Sequence, residues 1–481
     1  MAAIGRREFI RGVAGGALAA TWSARTGAAF APAPRPSILF LLVDDLGWSD
    51  LACYGNTFHE TPNIDALAAS GVRFTQAYAA CAVCSPTRAS IMTGKYPVRL
   101  GITDWIPGEQ HPDKPLVLRD TRCELPLGET TLAEAFRGHG YRTAYVGKWL
   151  LGGRGYFPEA QGFDVNIAGH EAGQPPGGYF SPYKIPNLAD GPDGEYLTDR
   201  LASESIHLLE GYAREPERPF LLYHAFYTVH MPLQARADLK KRYEDKASRS
   251  PDPRWKNTTY AAMVHGLDEN VGRLLAALDR LKLVSNTVIV LTSDNGGVDY
   301  SRVTTNYPLR AGKGRYYEGG IRVPLIVRPL RATTAPGRSD EPVISNDFYP
   351  TLLEMAGLPL RPAQHLDGRS MAPLLAGRGV PRRDALYWHY PHYHGSGETP
   401  SSAIRVGDLK LVRHYESGLR ELFDLRRDVS EATNLAASQP ATVRDLDARL
   451  DSWLASVGGY VPTPKRPGAA DAQSSSAFAC F

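Results

Sequence analysis

Two polar doublets each end an apolar run: Asp44-Asp45 after Ile38 to Val43, and Asp294-Asn295 after Thr287 to Thr292. Together they offer three carboxylates and one amide oxygen. Such hard oxygen donors suit calcium or magnesium. Asp, Asn and Gly also make ordinary turns after strands, so neither doublet alone defines a metal site. A third segment, Cys84-Ser85-Pro86-Thr87-Arg88-Ala89-Ser90-Ile91-Met92-Thr93-Gly94, reads as a helix start with Ser85 as N-cap and Pro86 as first helical residue. Cys84 then sits just outside the helix. Arg88 falls in the first turn, where the macrodipole disfavours a cation. A bound anion would relieve that conflict, because dipole and guanidinium both attract it. Two plainer readings stay open: Cys81-Ala82-Val83-Cys84 has redox-dithiol spacing, or Cys84 is a buried small residue. No second cysteine pair exists, which excludes a four-thiolate zinc site. Three further cations, Lys148, His230 and Lys313, also follow or interrupt such segments. Each alone fits a solvated or structural role equally well.

The elements that would position these groups are legible as alternation. Ile38 to Val43, Thr143 to Val146, Phe220 to Phe226 and Thr287 to Thr292 read as buried strands. Asn63 to Ala69, Thr131 to His139 and Asp268 to Leu281 carry apolar residues at helical spacing. Strands alternating with helices predict an α/β fold with a largely parallel sheet covered on both faces. Ligands of such sheets bind beyond the carboxyl ends of the strands, where the polar groups above fall. After about residue 365 the texture changes. Ala403 to Arg405, Leu409 to Val412 and Glu421 to Leu425 predict a small antiparallel sheet, and Pro440 to Ser456 a helix packed on it. The expected division is a catalytic domain over 36–365, an α+β subdomain over 366–461 and a disordered tail over 462–481, rich in Pro, Ala and Ser.

Net charge is +3 with both signs mixed, which gives no argument for nucleic acid or membrane binding. Five cysteines are too few for a disulfide scaffold; they leave room for one bridge of undetermined pairing. Arg6-Arg7-Glu8-Phe9-Ile10-Arg11 is a twin-arginine pattern, followed by a weakly apolar run from Gly12 to Ala20 and small residues near Ala28 to Ala31. An uncleaved anchor is the alternative, but the run falls well short of the ~20 residues that span a bilayer. The expectation is a signal segment over 1–31 and a bacterial protein that is periplasmic or secreted, without stable membrane insertion.

The Cys84 segment, Cys-Ser-Pro-Thr-Arg followed by Ala-Ser-Ile-Met-Thr-Gly, resembles the signature of the formylglycine-dependent sulfatases. The resemblance covers nearly the whole mature chain. It includes Val43-Asp44-Asp45-Leu46-Gly47, Thr61-Pro62-Asn63-Ile64-Asp65, Ser293-Asp294-Asn295-Gly296-Gly297, Gly312-Lys313-Gly314, Glu318-Gly319-Gly320-Ile321-Arg322-Val323-Pro324 and Leu422-Phe423-Asp424-Leu425. It implies an alkaline-phosphatase-like three-layer sandwich. It also implies conversion of Cys84 by a formylglycine-generating enzyme to an aldehyde whose hydrate is the nucleophile. Asp44, Asp45, Asp294 and Asn295 would hold one divalent ion, calcium or magnesium, that also contacts residue 84 and a sulfate oxygen. Arg88, Lys148, His230 and Lys313 would serve the sulfate and the leaving oxygen, with a near-neutral His230 as proton donor. The substrate would be a sulfated small molecule or glycan. A phosphodiesterase or phosphonate monoester hydrolase of the same superfamily is the near alternative.

One position departs from the pattern. Leu150 stands where the resembled family has the histidine of Gly-Lys-Trp-His. That histidine is held to assist sulfate release, so its loss predicts a substitute base, slow turnover or a non-catalytic sulfoglycan-binding protein. The run Trp388-His389-Tyr390-Pro391-His392-Tyr393-His394 could hold a transition metal. Its similarity to runs in glycan sulfatases instead makes His389 and His392 candidate substrate contacts in a pocket wall. Arg405 is a further candidate there, or a plain structural arginine.

Overall fold

The apolar run after Pro36 forms strand Ser37–Val43, buried at every position. Its side chains alternate between two cores. Ile38, Phe40 and Leu42 pack with residues of the helices Cys84–Thr93, Leu132–Arg137 and Phe348–Met355. Leu39, Leu41 and Val43 pack with residues of the helices Pro62–Ala69, Leu197–Tyr212 and Thr258–Arg280. Apolar side chains on both faces of one strand require helices on both sides, hence three layers. The structure is a computed structural model that describes residues 35–249, 252, 254–255, 257–330, 337–379, 383–465 and 480. The expected signal segment lies outside the described residues. No described helix is long and apolar enough to cross a membrane.

The central sheet runs in the order Val343–Ile344, Val72–Tyr78, Arg322–Arg328, Thr287–Ser293, Ser37–Val43, Phe220–Ala225, Arg142–Gly147, Val165–Ile167. Arg322–Arg328 is antiparallel to both its neighbours, and the other pairings along this order are parallel. Register then decides what emerges at the carboxyl edge. Val43 lies beside Ser293, Leu42 beside Ala225, and Gly147 beside Ala225. The residues that follow these strands therefore leave the sheet side by side.

A second, antiparallel sheet joins Leu386–Tyr390, Ser401–Val406, Leu409–His414 and Arg420–Asp424 in that order. The helix Pro440–Val457 lays Leu446, Leu450, Trp453, Leu454 and Val457 against it. This core also takes in Tyr78, Val83, Tyr316 and Ile321, so the small sheet is packed onto the loops of the main one. Of the tail expected to be disordered over 462–481, only residues 462–465 and 480 are among the described residues. Thr463–Pro464 pairs antiparallel with Leu116–Val117, and the Lys465 amide donates to Pro115 O at 2.8 Å. Cys480 is disulfide-bonded to Cys123, with Cα atoms 5.4 Å apart. The rest of that tail lies outside the described residues.

Buried neutral histidines give the fold a pH dependence. His224 is fully buried with Nδ1 on Ser205 Oγ at 2.7 Å, and burial pushes its pKa down to about 3. In the unfolded chain it titrates near 6.5. Below pH 6.5 the unfolded state binds the extra proton, so this stability is present above pH 6.5 and is lost as pH falls toward 3. At pH 4 the loss from His224 should reach about 3 kcal/mol. Urea midpoints of wild type and His224→Gln, compared from pH 7 to pH 4, should converge on acidification; parallel curves would refute the assignment.

Candidate active site

Adjacent parallel strands deliver the two doublets together. The Asp45 amide donates to Asp294 Oδ1 at 3.2 Å, and Asn295 Nδ2 donates to Asp45 Oδ1 at 2.8 Å. Asp45 adopts φ 60°, a left-handed turn that aspartate tolerates better than most residues. Asp44 is tied to the turn after strand Phe220–Ala225, its amide donating to Thr228 O and its carbonyl accepting from the Val229 amide. Close approach requires glycine at two neighbours. A Cβ on Gly147 would fall 1.9 Å from Ala225 O, and one on Gly296 would fall 1.8 Å from Gly319 O.

Cys84 is the first residue of the helix Cys84–Thr93, with Val83 as N-cap and no side-chain cap. This corrects the expected start. Ser85 Oγ accepts from the Ile106 amide at 3.0 Å, so it fixes a neighbouring loop and does not cap. The Cys84 thiol lies 3.6 Å from Asp44 Oδ1 and 3.5 Å from Lys148 Nζ. Cys81 points elsewhere, to Tyr316 OH at 3.5 Å, and both cysteines are free, so they do not form a disulfide. Burial pushes the Cys84 thiol up to about 12, although Lys148 and Lys313 oppose this. An unmodified thiol here is a poor nucleophile, since the thiolate is the reactive form.

Four basic groups face three carboxylates. Arg88 donates to Asp294 Oδ2 through Nε at 2.9 Å and Nη2 at 2.8 Å, and to Lys148 O at 2.6 Å. Asp294 thus resolves the dipole conflict that the sequence assigned to a bound anion. Lys148 Nζ donates to Asp44 Oδ2 at 2.6 Å, and Lys313 Nζ lies 2.7 Å from Asp45 Oδ1. His230 Nε2 is 3.7 Å from Asp45 Oδ2, while its Nδ1 faces Met231 O at 2.9 Å. Burial, then Lys313 and Lys148, push His230 down to about 3. That is far below the near-neutral value expected of a proton donor. Lys313 moves the other way: burial disfavours its charge, but Asp45 wins and holds it protonated. Burial raises Asp44 to about 8, with Asp294 and Asp45 adding to this against Lys148. Burial opposes the charge of Asp45, yet Lys313 and His230 hold it well below the carboxylate range.

Ligand atoms of Asp44, Asp45, Cys84 and Asp294 lie within 4.8 Å of one another, all buried. Asn295 Oδ1 is buried beside them with no hydrogen-bond partner. Clustered buried carboxylates repel one another, and an orphaned amide oxygen costs about 1–3 kcal/mol. A divalent cation would answer both, so the donor set fits one.

The three expected substrate contacts are placed otherwise. His389 is buried, with Nδ1 on Ser402 Oγ at 2.6 Å and Nε2 on Tyr460 O at 2.8 Å. His392 Nε2 meets Thr103 Oγ1 at 2.8 Å. Arg405 is engaged by Tyr78 OH, Gln76 and Gly407 O. All three are satisfied structural groups of the small sheet and its seam. The residue of that run that reaches the site is His394. A Cβ on Gly314 would fall 2.1 Å from its Nδ1, and its ring lies 6.0 Å from that of Tyr300. Burial, then Lys313, push His394 down to about 4. Leu150 is buried at φ 54°, its amide donating to His170 O at 3.2 Å. His170 Nε2 is buried without a hydrogen-bond partner. Sequence gave no signal for His170, because it is placed only by the loop that returns over Leu150.

The chain belongs to the sulfatase family and is a sulfuric ester hydrolase: the family model described as Sulfatase matches residues 36–358. A second model, N-sulphoglucosamine sulphohydrolase, C-terminal, matches residues 312–457. Human arylsulfatase A is 34% identical over 87% of this chain and 83% of its own. A sulfatase of Formosa agariphila is 32% identical over 87% and 89%. The crystal structure of Ps i-CgsB in complex with k-i-k-neocarrahexaose superposes with TM-score 0.73 at 30% identity, covering 87% of this chain and 92% of that one. The resembled α/β fold with its largely parallel sheet is the fold observed.

Proposed function

We propose that the enzyme hydrolyses a sulfate ester of a sulfated glycan, R–O–SO3⁻ plus water giving ROH and sulfate, at a formylglycine formed from Cys84. The observation that carries this reading is Cys84 at a buried helix start, beside Lys148 and inside the ring of Asp44, Asp45 and Asp294. The glycan is suggested by relatives: the solved neighbour with a bound neocarrahexaose, and the dog N-acetylgalactosamine-6-sulfatase, 32% identical over 76% of this chain. The modification requires a formylglycine-generating enzyme. The twin-arginine leader supports export to the periplasm or beyond.

Asp44, Asp45, Asp294 and Asn295 would hold the cation, calcium or magnesium. Bound there, it would supply positive charge for sulfate oxygens and for the formylglycine hydrate, which supplies the attacking oxygen. Arg88 fixes the orientation of Asp294 and of the Lys148 carbonyl. Lys148 and Lys313 would serve as cations for the carboxylate cluster and the incoming sulfate. Lys313, held protonated, would be able to donate toward a leaving alkoxide. His230, held neutral, presents Nε2 to the site, 3.7 Å from Asp45 Oδ2. A matched set of aryl sulfate, aryl phosphate diester and sulfated oligosaccharides tests the reading. Turnover of sulfate esters is expected, and preference for the phosphate diester would transfer the enzyme to the neighbouring hydrolase class.

Leu150 carries no basic group where the resembled family has a histidine, although neutral His230 lies within 4.8 Å of the Cys84 thiol. Alcohol release should therefore show a burst, followed by turnover slowed by the ~10²–10⁴-fold that general-base help is typically worth. Leu150→His should raise the steady-state rate and leave the burst rate nearly unchanged. Linear progress curves, with no gain in the variant, would mean that another base serves.

A further inference from the structure

A groove of about 420 Å³ runs along the seam between the main sheet and the small sheet, outside the catalytic cluster. Five arginines line it, Arg73, Arg322, Arg338, Arg405 and Arg426, with Trp48 among them. Only two acidic residues, Asp340 and Asp408, line it as well. Two of these arginines are paired, Arg338 with Asp340 at 2.9 Å and Arg322 with the buried Glu318 at 3.3 Å. The other three, Arg73, Arg405 and Arg426, have no ion pair among the described residues. Arg405 bonds only to neutral groups, Tyr78 OH, Gln76 and Gly407 O. Arg73 lies over the Tyr54 ring at 5.3 Å, and neither it nor Arg426 has an ion pair among the described residues. Trp48 is half-buried, stacked by the Arg322 guanidinium at 5.1 Å and held by its Nε1 donating to Thr75 O at 3.1 Å. Further depressions share Gln76, Asp340, Arg405 and Asp408 on one side and Asp408 and Arg426 on the other, so the track is extended.

We propose that this seam groove is a second binding site, for an anionic stretch of the sulfated glycan chain remote from the ester being cleaved. This rests on the glycan reading above. Guanidinium forks match the oxygens of sulfate and carboxylate, and a held indole offers a flat apolar face to a sugar ring. An extended track suits a polymer over a single small anion. The positive potential gathers polyanions and is screened by salt.

The test uses dextran sulfate as probe with the full-length enzyme, at low salt, against the double variant Arg73→Gln/Arg426→Gln. Neither residue touches the catalytic cluster. Each exposed arginine–anion contact is worth a few-fold, so dextran sulfate should bind the variant about tenfold more weakly. KM for a sulfated polysaccharide should rise in step, while kcat/KM for an aryl sulfate stays unchanged. Equal binding by variant and wild type, or wild type binding dextran sulfate no better than uncharged dextran, would overturn the site. Tighter binding of single-stranded DNA or anionic vesicles through the same arginines would overturn its assignment to glycan. The single variant Arg426→Glu, at an exposed position, gives the same reading should the double variant fold poorly. Absence of aryl sulfate turnover in wild type would refute the hydrolase reading alone, because dextran sulfate binding reads the groove without catalysis.

Discussion

Cys84→Ala is expected to reduce kcat/KM for an aryl sulfate by about 10⁴–10⁶-fold, the range seen when a nucleophile is removed. Neither Ser85 nor Cys81 can replace residue 84 as the source of the attacking group. Ser85 is turned away to the Ile106 amide, and Cys81 lies against Tyr316. The thiol itself is disabled by burial, which pushes it up to about 12. On the proposed reading, activity arises from residue 84 after oxidation to the aldehyde. Mass spectrometry of the peptide spanning residue 84, from enzyme made with and without a formylglycine-generating enzyme, should find the aldehyde in proportion to activity. Alanine suits the first helical position and removes one atom, so the thermal midpoint should barely move. Full activity from unmodified Cys84, or a variant retaining more than about 10% of the rate, would sink the assignment.

The catalytic edge was readable because its signals are local. An apolar run stopped by Asp44-Asp45, and another by Asp294-Asn295, mark strand ends without any knowledge of the fold. Their meeting follows from one register, Val43 beside Ser293. The helix Thr258–Arg280 was recognisable only in its second half. Its first half is buried at every position from Tyr260 to Asp268, so the amphipathic period that identifies a helix is missing there. The histidines failed for a different reason. His389 and His392 sit within a few residues of His394, and composition cannot say which of the three faces the site. That depends on the turn after strand Leu386–Tyr390 and on Gly314, across the chain, leaving room for one ring. The place of Arg405 is not legible for the same reason, since its partners Gln76 and Tyr78 are distant in sequence and lie on a strand of the other sheet.

Asp294→Asn should lower activity by roughly 10²–10³-fold and abolish stabilisation by added calcium or magnesium. Asp294 carries two duties that can be separated. Its Oδ2 takes both donors of Arg88, and its Oδ1 takes the Asp45 amide and faces the cluster. Asparagine keeps one carbonyl oxygen for Arg88 but gives up the negative charge, so it probes the metal duty with the least damage to the fold. Alanine would leave Arg88 buried with only Asp44, 3.5 Å away, as counter-charge. Breaking a buried pair in that way costs about 3–5 kcal/mol. The alanine variant should lose stability as well as rate, while the asparagine variant keeps most of the metal-free stability. In wild type, an ion at a hundred times its dissociation constant should add about 2.7 kcal/mol to unfolding free energy. Elemental analysis of dialysed protein gives the occupancy directly. Wild-type activity that survives chelation with metal loss confirmed, or an Asp294→Asn variant that keeps both its ion and its rate, would remove Asp294 from the metal site and return it to the role of anchoring Arg88.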